Sequence, residues 1–187
     1  MDGRTVPSWF DCVSFDHATR TEDETGLHAA ASRMHALISK EISDHGIPSE
    51  RIVIGGLSQG GATSILTMLT SEKQLGGLFA LSTYIPLRKK VPEFATPCAK
   101  ATPILWSHGN ADLQVNYDEW KGFARTLAEQ LGIPFRLTES VDVLKKDQFI
   151  QNGVQLEFHR YDDLGHFIDE TELKNLGLWV SLRVPGV

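Results

Sequence analysis

Short apolar, β-branched runs alternate with longer amphipathic stretches along this chain, and this alternation constrains the fold more than any other feature. The central unit pairs a predicted strand at 51–55 with a predicted helix from 59 to about 70. Consecutive parallel strands need a long crossover, which is usually a helix. We therefore predict an α/β fold, with a mainly parallel sheet and helices on both of its faces.

The alternation continues over the whole chain, which we interpret as one domain of residues 1–187. Further strands are expected at 77–82, 103–107 and 154–161, and further helices at 22–45, 117–131 and 170–183. The first helix is expected to bury one face made of Leu27, Ala30, Met34, Leu37, Ile38 and Ile42. The last helix is expected to turn inward Leu173, Leu176 and Val180.

Two connecting segments lack a clear period. Residues 84–102 are rich in proline and predict a long irregular connection. Residues 138–153 are polar, and we interpret them as a tolerated surface insertion, with the rim of a pocket as the alternative.

Composition excludes several classes of function. The formal net charge is −6, and the single run of three basic residues is Arg88-Lys89-Lys90, so nucleic-acid binding is not expected. No apolar run is long enough for a membrane span. The sequence has only two cysteines, and neither has a companion residue at the spacing of a metal or redox site, so no metal or cofactor is expected. Residues 1–4 are not apolar as a secretion signal would be, and together with the few cysteines this predicts a reducing, cytoplasmic setting.

The strongest chemical signal is Gly56-Leu57-Ser58-Gln59-Gly60, a G-x-S-x-G motif between a predicted strand and a predicted helix. In that context the glycines permit a sharp turn that exposes the serine hydroxyl above the sheet edge. The alternatives are an idle serine in a glycine-rich turn, or a phosphate loop, although the lysine of such a loop is missing. We predict that Ser58 is a nucleophile and that the backbone N–H of Gln59 stabilises an oxyanion.

A serine nucleophile needs a base, and the base needs an orienting acid. His166 follows the strand predicted at 154–161, and Asp112 follows the one at 103–107. Both therefore lie at the carboxyl edge of the predicted sheet, in the order Ser, Asp, His that is typical of α/β-hydrolases. His108 is the alternative base, and the alternative acids are Asp118 and Asp163.

Several motifs together resemble one known family. The resemblance lies in four segments: GLSQGG at 56–61, HGNADLQV at 108–115, LGH at 164–166 and residues 7–11. In these segments the chain resembles the acyl-protein thioesterase and lysophospholipase-like carboxylesterase family, whose members are α/β-hydrolases. The resemblance implies a triad of Ser58, Asp112 and His166. It also implies hydrolysis of ester or thioester bonds to long acyl chains, carried by proteins or by lysophospholipid-like molecules.

The resemblance further implies a substrate contact at Tyr84, Ile85 and Leu113, although the segment 81–87 fits plain core and turn equally well. Family members begin with strands ahead of segment 7–11, and a His-Gly loop there supplies part of the oxyanion hole, so this chain is expected to be N-terminally truncated. A second hypothesis follows, in which a catalytically impaired hydrolase binds acyl ligands or a partner protein. In that hypothesis an exposed sheet edge favours self-association.

Overall fold

Five parallel strands form one sheet in the computed structural model, which describes residues 7–12, 21–150 and 153–184. In chain order they are β1 (Val53–Leu57), β2 (Gly77–Leu81), β3 (Ile104–Gly109), β4 (Phe135–Thr138) and β5 (Leu156–Tyr161). Their spatial order is β1-β2-β3-β5-β4, and each neighbouring pair is parallel. The predicted α/β class with a mainly parallel sheet is therefore confirmed.

The helices are α1 (Glu24–His45), α2 (Gln59–Leu69), α3 (Val91–Phe94), α4 (Tyr117–Leu131) and α5 (Glu170–Arg183). Three of the five have a side-chain N-cap, because Asp23, Asn116 and Asp169 accept hydrogen bonds from backbone N–H groups of the first turn. The predicted irregular segment 84–102 contains α3 and two short 3₁₀ turns.

The larger apolar core lies between one face of the sheet and helices α1, α2 and α4. Trp106 of β3 and Phe158 of β5 stack there at a ring-centroid distance of 5.8 Å. The fully buried members from the helices include Leu27, Ile65, Leu66, Leu69, Trp120 and Leu127.

The opposite face of the sheet is covered by α5 and by the segment after β4. Trp179 and Leu176 of α5 pack with Phe149 against Leu81 and Leu105. Because Phe149 is buried, and the N–H of Leu144 donates to Asn175 of α5, the described part of segment 138–153 forms part of the core's cover. The expected surface position holds for most of the segment's described residues, which are exposed, whereas Val141 and Phe149 are buried.

Three details of the predicted pattern differ from the structure. Strand β4 was not predicted, since a four-residue edge strand has too short a pattern to stand out. Leu37 and Leu173 are 57% and 58% exposed instead of inward-facing. On α5 the buried positions are Glu172, Asn175, Leu176 and Trp179, because burying the large indole rotates the helix away from the predicted face.

At the two ends of the described sheet, β1 pairs with β2 alone and β4 pairs with β5 alone. The expectation of self-association through such an edge stays a prediction. No helix in the described ranges is long and apolar enough to cross a membrane. Residues 1–4, to which the expected absence of a secretion signal refers, lie outside the described residues.

Candidate active site

Ser58 occupies the sharp turn between β1 and α2, with φ 53° and ψ −119°. A positive φ at a non-glycine residue costs of order 1–3 kcal/mol, and it persists when surrounding contacts hold it. Three hydrogen bonds do so here. The Ser58 N–H donates to the carbonyl of Leu81 at 3.0 Å, and the Ser58 carbonyl accepts from Thr83 Oγ1 at 2.6 Å and from the Ala62 N–H at 3.0 Å.

The turn also depends on a close approach of two backbone segments. A Cβ on Gly56 would lie 2.7 Å from the carbonyl carbon of Gly60. Only glycine at position 56 lets the end of β1 approach the first turn of α2 this closely. The local geometry is that of a nucleophile elbow, and it leaves Ser58 half-buried at the carboxyl edge of the sheet.

Gln59 begins α2, and the backbone N–H groups of a first helical turn have no acceptor within their own helix. Its backbone N–H is therefore suited to a developing negative charge. The Gln59 side chain anchors the segment 7–12: Nε2 donates to the carbonyl of Phe10 at 3.1 Å, and Oε1 accepts from the Trp9 N–H at 3.3 Å. The half-exposed Trp9 thus lies beside the elbow, a placement that the sequence pattern did not indicate.

Asp112 lies in the turn after β3, and its carboxylate is buried. Oδ1 accepts from the N–H groups of Gln114 (2.8 Å) and Val115 (2.9 Å), and Oδ2 accepts from His166 Nδ1 (2.8 Å). Burial alone would raise the pKa of Asp112. Hydrogen bonds from His108, His166 and the two backbone N–H groups outweigh it and hold the pKa well below its ordinary value, so the carboxylate stays ionised.

His166 follows β5 in a turn that packs directly on the Asp112 turn. The Ala111 N–H donates to the carbonyl of Leu164 at 3.0 Å, and a Cβ on Gly109 would lie only 2.0 Å from that same carbonyl oxygen. Because a carboxylate can only accept, His166 Nδ1 carries a proton towards Asp112. In the neutral ring this leaves Nε2 as the proton acceptor.

The structure thus brings two of the three predicted catalytic side chains into contact, Asp112 and His166. Ser58 lies at the carboxyl end of β1, at the same edge of the sheet. Among the described residues, no hydrogen bond joins the Ser58 hydroxyl to His166. Catalytic hydrogen bonds without substrate are often long and shorten when substrate binds, so this geometry is compatible with the triad.

The alternative residues have other partners. His108 is fully buried, and both of its ring nitrogens are hydrogen-bonded, to Trp106 and to Val115. Asp118 pairs with Lys121 at 2.9 Å on the surface. Asp163 is an exposed residue of a left-handed turn, with φ 58°. These contacts favour His166 and Asp112 over the alternatives.

The predicted substrate contacts lie in different environments. Tyr84 is buried against the ring of Trp120 at 5.8 Å, and the buried Ile85 lines a small cavity beside Arg88 and Phe123. Leu113, in contrast, is 98% exposed directly after Asp112. All three assignments stay predictions.

Two further exposed apolar side chains directly follow His166. They are Phe167, which is 70% exposed, and Ile168, which is 42% exposed. No motif or period in the sequence pointed to them. Their position next to the predicted base is the signal that would have found them.

Three comparisons with known proteins agree with this geometry. The family model described as phospholipase/carboxylesterase matches residues 1–142. Acyl-protein thioesterase 1 of Mycosarcoma maydis is 35% identical over 191 residues, which cover 98% of this chain and 72% of the relative. A probable carboxylesterase of Oryza sativa subsp. japonica is 37% identical over 181 residues, which cover 96% of this chain and 59% of the relative.

The crystal structure of Arabidopsis thaliana SOBER1 has the same fold, with a TM-score of 0.77 at 32% identity, over 95% of this chain and 74% of that chain. The chain therefore spans from about three fifths to about three quarters of the length of these relatives. Because the family model matches more than half of the chain and these relatives are more than 30% identical to it, the chain belongs to the phospholipase/carboxylesterase family of α/β-hydrolases, a family of carboxylic ester and thioester hydrolases.

Proposed function

We propose that this chain hydrolyses carboxylic ester or thioester bonds of acyl substrates, with Ser58 as nucleophile, His166 as general base and Asp112 as the orienting acid. The observation that carries the proposal is the 2.8 Å hydrogen bond from His166 Nδ1 to the buried Asp112 carboxylate, at the sheet edge where Ser58 adopts the strained conformation of a nucleophile elbow. The matched family supports the same reaction class.

The chemistry follows from these roles. The Ser58 oxygen attacks the acyl carbonyl while His166 Nε2 takes the hydroxyl proton, and the backbone N–H of Gln59 stabilises the oxyanion of the tetrahedral intermediate. His166 then returns the proton to the leaving alcohol or thiol, which leaves the acyl group on Ser58. Water, deprotonated by His166, attacks this acyl-enzyme, and His166 returns the proton to the Ser58 oxygen as the acid is released. Asp112, ionised throughout, stabilises the imidazolium that forms in each half-reaction.

The surroundings of the pair support an apolar acyl group as the bound part of the substrate. Leu113, Phe167 and Ile168 are exposed apolar side chains that lie within two residues of Asp112 or His166 in the sequence, and we refer to them as the apolar rim. Exposed apolar side chains grouped beside a predicted catalytic pair are typical of a site for an apolar ligand. We therefore propose acylated proteins or lysophospholipid-like molecules as substrates, as the name of the Mycosarcoma maydis relative suggests for proteins.

A fluorophosphonate probe tests the nucleophile, because it labels activated serines. The parent chain is expected to be labelled, and Ser58→Ala is expected to abolish both labelling and hydrolysis of p-nitrophenyl esters. Ser43→Ala is the matched control, since Ser43 is an exposed serine outside the proposed site, and its hydroxyl donates to the Asp44 carboxylate at 2.7 Å. This control is expected to be labelled like the parent.

His166→Ala is expected to reduce labelling nearly as completely as Ser58→Ala, because triad members act as a unit. Full labelling of Ser58→Ala, or of His166→Ala, would contradict the proposed triad. A metal chelator is expected to leave hydrolysis unchanged, since the proposed chemistry needs only protein groups.

A second candidate function is binding without efficient turnover, with self-association through a sheet edge. It is favoured by β1, which has a strand neighbour on one side only within the described sheet. Size-exclusion chromatography at several concentrations tests it, and a monomer at all of them would exclude self-association. We also propose a cytoplasmic setting, which rests on the sequence alone, because two cysteines are too few for a disulfide framework.

A further inference from the structure

A second histidine, His108, contacts the same carboxylate as the proposed base. Its Nε2 lies 3.5 Å from Asp112 Oδ2, the oxygen that accepts the hydrogen bond from His166 Nδ1 at 2.8 Å. Both the His108 and the Asp112 side chains are fully buried. The proposed reaction uses His166 alone as base, so this contact has no role in it so far.

The hydrogen bonds of His108 determine where its ring proton lies. Trp106 Nε1 donates to His108 Nδ1 at 3.3 Å, and an indole N–H can only donate. His108 Nδ1 is therefore an acceptor, and the proton of the neutral ring is on Nε2. That Nε2–H faces two acceptors, the Val115 carbonyl at 2.9 Å and Asp112 Oδ2 at 3.5 Å.

Val115 links the two contacts into one unit. Its carbonyl accepts from His108, and its N–H donates to Asp112 Oδ1 at 2.9 Å. His108 therefore fastens the turn whose backbone holds one carboxylate oxygen, and it faces the other oxygen directly. A shift of this ring would release both constraints on the Asp112 carboxylate.

The ring itself has little freedom to move. It stacks on Phe158 with a centroid distance of 6.3 Å and an interplanar angle of 10°, and Tyr117 meets it edge-on at 6.1 Å. Aromatic pairs in such geometries contribute beyond the burial of their area. The stack fixes the plane of His108, and Trp106 fixes its tautomer.

We propose that His108 is a positioning residue, which orients the Asp112 carboxylate so that Oδ2 faces His166. This inference rests on the proposed function, because the orientation matters for turnover only if His166 is the base. His108 does not touch the substrate or the reacting atoms. Its removal is therefore expected to lower kcat and to leave KM nearly unchanged.

Two substitutions at position 108 distinguish the effect of the N–H donor from the effect of the aromatic ring. His108→Phe keeps an aromatic ring between Phe158 and Tyr117 but removes the N–H donor, whereas His108→Gln keeps a donor without the ring. Each is measured for kcat and KM with a p-nitrophenyl ester. The proton between His166 Nδ1 and Asp112 is followed by its ¹H NMR resonance, which lies downfield of ordinary amides.

The expected result is a loss in kcat of about tenfold for His108→Phe, since this variant removes the N–H that holds the Val115 carbonyl and faces the Asp112 carboxylate. Its downfield resonance is expected to shift or to broaden by exchange. His108→Gln is expected to remain within about threefold of the parent kcat. A folded His108→Phe with unchanged kcat would overturn the proposal, and so would a fall in kcat with an unchanged resonance, which indicates a purely structural role.

Trp106→Phe is the second variant, and it decides the question if His108→Phe does not fold. It removes the donor to Nδ1 and leaves His108 in place, so the downfield resonance is expected to shift and kcat to fall by about threefold. An unchanged resonance in Trp106→Phe would overturn the proposal. Failure of the proposed function would be recognised separately, by labelling of Ser58→Ala, because the resonance reports the position of Asp112 whether or not the chain hydrolyses esters.

Discussion

The sheet face under α1, α2 and α4 is packed mainly with apolar side chains, with the buried His108 near its carboxyl edge. The face under α5 combines an apolar cluster with ionisable side chains at equally buried positions. Within β5 the two kinds alternate. Leu156 and Phe158 belong to the apolar core, while Glu157 and His159 point to the other side. The apolar face stabilises the fold by removing area from water, and we infer that the polar face makes stability depend on pH.

Two groups dominate this pH dependence. Burial, with a smaller contribution from the Asp169 carboxylate, raises the pKa of Glu172 to about 8. Burial, with a smaller contribution from Arg136, lowers the pKa of His159 to about 4. Among the described residues, no hydrogen-bond partner is found for either carboxylate oxygen of Glu172 or for Nδ1 of His159. Both groups are therefore expected to be neutral in the folded protein near pH 6.

The largest effect on stability is expected on the apolar face. Leu66→Ala in α2 removes a side chain that is fully buried between α2 and the sheet, and such truncations destabilise by about 2–5 kcal/mol through lost burial and the cavity left behind. Urea unfolding followed by circular dichroism measures it. Leu37→Ala is the control on the solvent side of α1, with an expected change within about 0.5 kcal/mol. Equal losses in the two variants would contradict the assigned core.

A second prediction concerns Glu172 and the pH range from 6.5 to 8. The carboxyl has a pKa of about 8 when folded, against an ordinary value of 4.5. Between these values the unfolded chain releases the proton and the folded chain keeps it, so stability falls as pH rises. Glu172→Gln removes this loss, so its stability relative to the parent is expected to grow by about 2 kcal/mol between pH 6.5 and 8.

The free energy of unfolding measured at intervals across that pH range tests the Glu172 prediction. Glu170→Gln, in the same helix but exposed and paired with Lys174 at 2.7 Å, is the matched control and should keep the slope of the parent. If Glu172→Gln followed the parent at every pH, the carboxyl would already be ionised in the folded state.

His159 is expected to act in the opposite direction at lower pH. Its folded pKa is about 4 and its ordinary value is 6.5, so between them the unfolded chain binds a proton that the folded chain does not. Stability therefore falls as pH decreases from 6.5 towards 4. His159→Leu removes this loss, which amounts to about 1–2 kcal/mol by pH 5.

Because Glu172 and His159 oppose each other between pH 4.5 and 6.5, the His159 comparison is made in a Glu172→Gln background. His45→Gln, an exposed histidine at the end of α1, serves as the control. Equal acid sensitivity with and without His159 would show that this histidine is protonated in the folded chain.

The two faces also differ in how far they could be predicted. The periodic spacing of apolar residues predicted the strands next to Ser58 and Asp112 and the helices α1, α2, α4 and α5. Burial of one apolar face leaves such a repeating pattern in the sequence. Burial of Glu172 and Asn175 could not be predicted, since ionisable residues on a helix usually face water. Their inward position depends on Trp179, whose burial sets the rotation of α5.

The site shows the same division. The G-x-S-x-G motif encodes its own turn, so the elbow at Ser58 was predictable from local sequence. The contact between Asp112 and His166 joins residues 54 positions apart. The chain order of the motifs predicted it, but the placement of His108 and Trp9 depends on packing that no local pattern carries.

The smallest effect on stability is expected at the apolar rim, where exposed side chains belong to neither face of the sheet. Phe167→Ser and Ile168→Ser are each expected to change the free energy of unfolding by less than about 0.5 kcal/mol, because these side chains are already exposed. If the rim binds the acyl chain, each change should lower kcat/KM for p-nitrophenyl palmitate by about three- to tenfold, which corresponds to partial burial of one apolar side chain. Hydrolysis of p-nitrophenyl acetate, whose acyl group is too short to reach the rim, should be unchanged.

Leu37→Ser, at similar exposure on α1, controls for a general loss of surface hydrophobicity. A parallel fall for both esters would assign Phe167 and Ile168 to the placement of His166 instead of substrate binding, and no change for either ester would remove the rim from the proposed site.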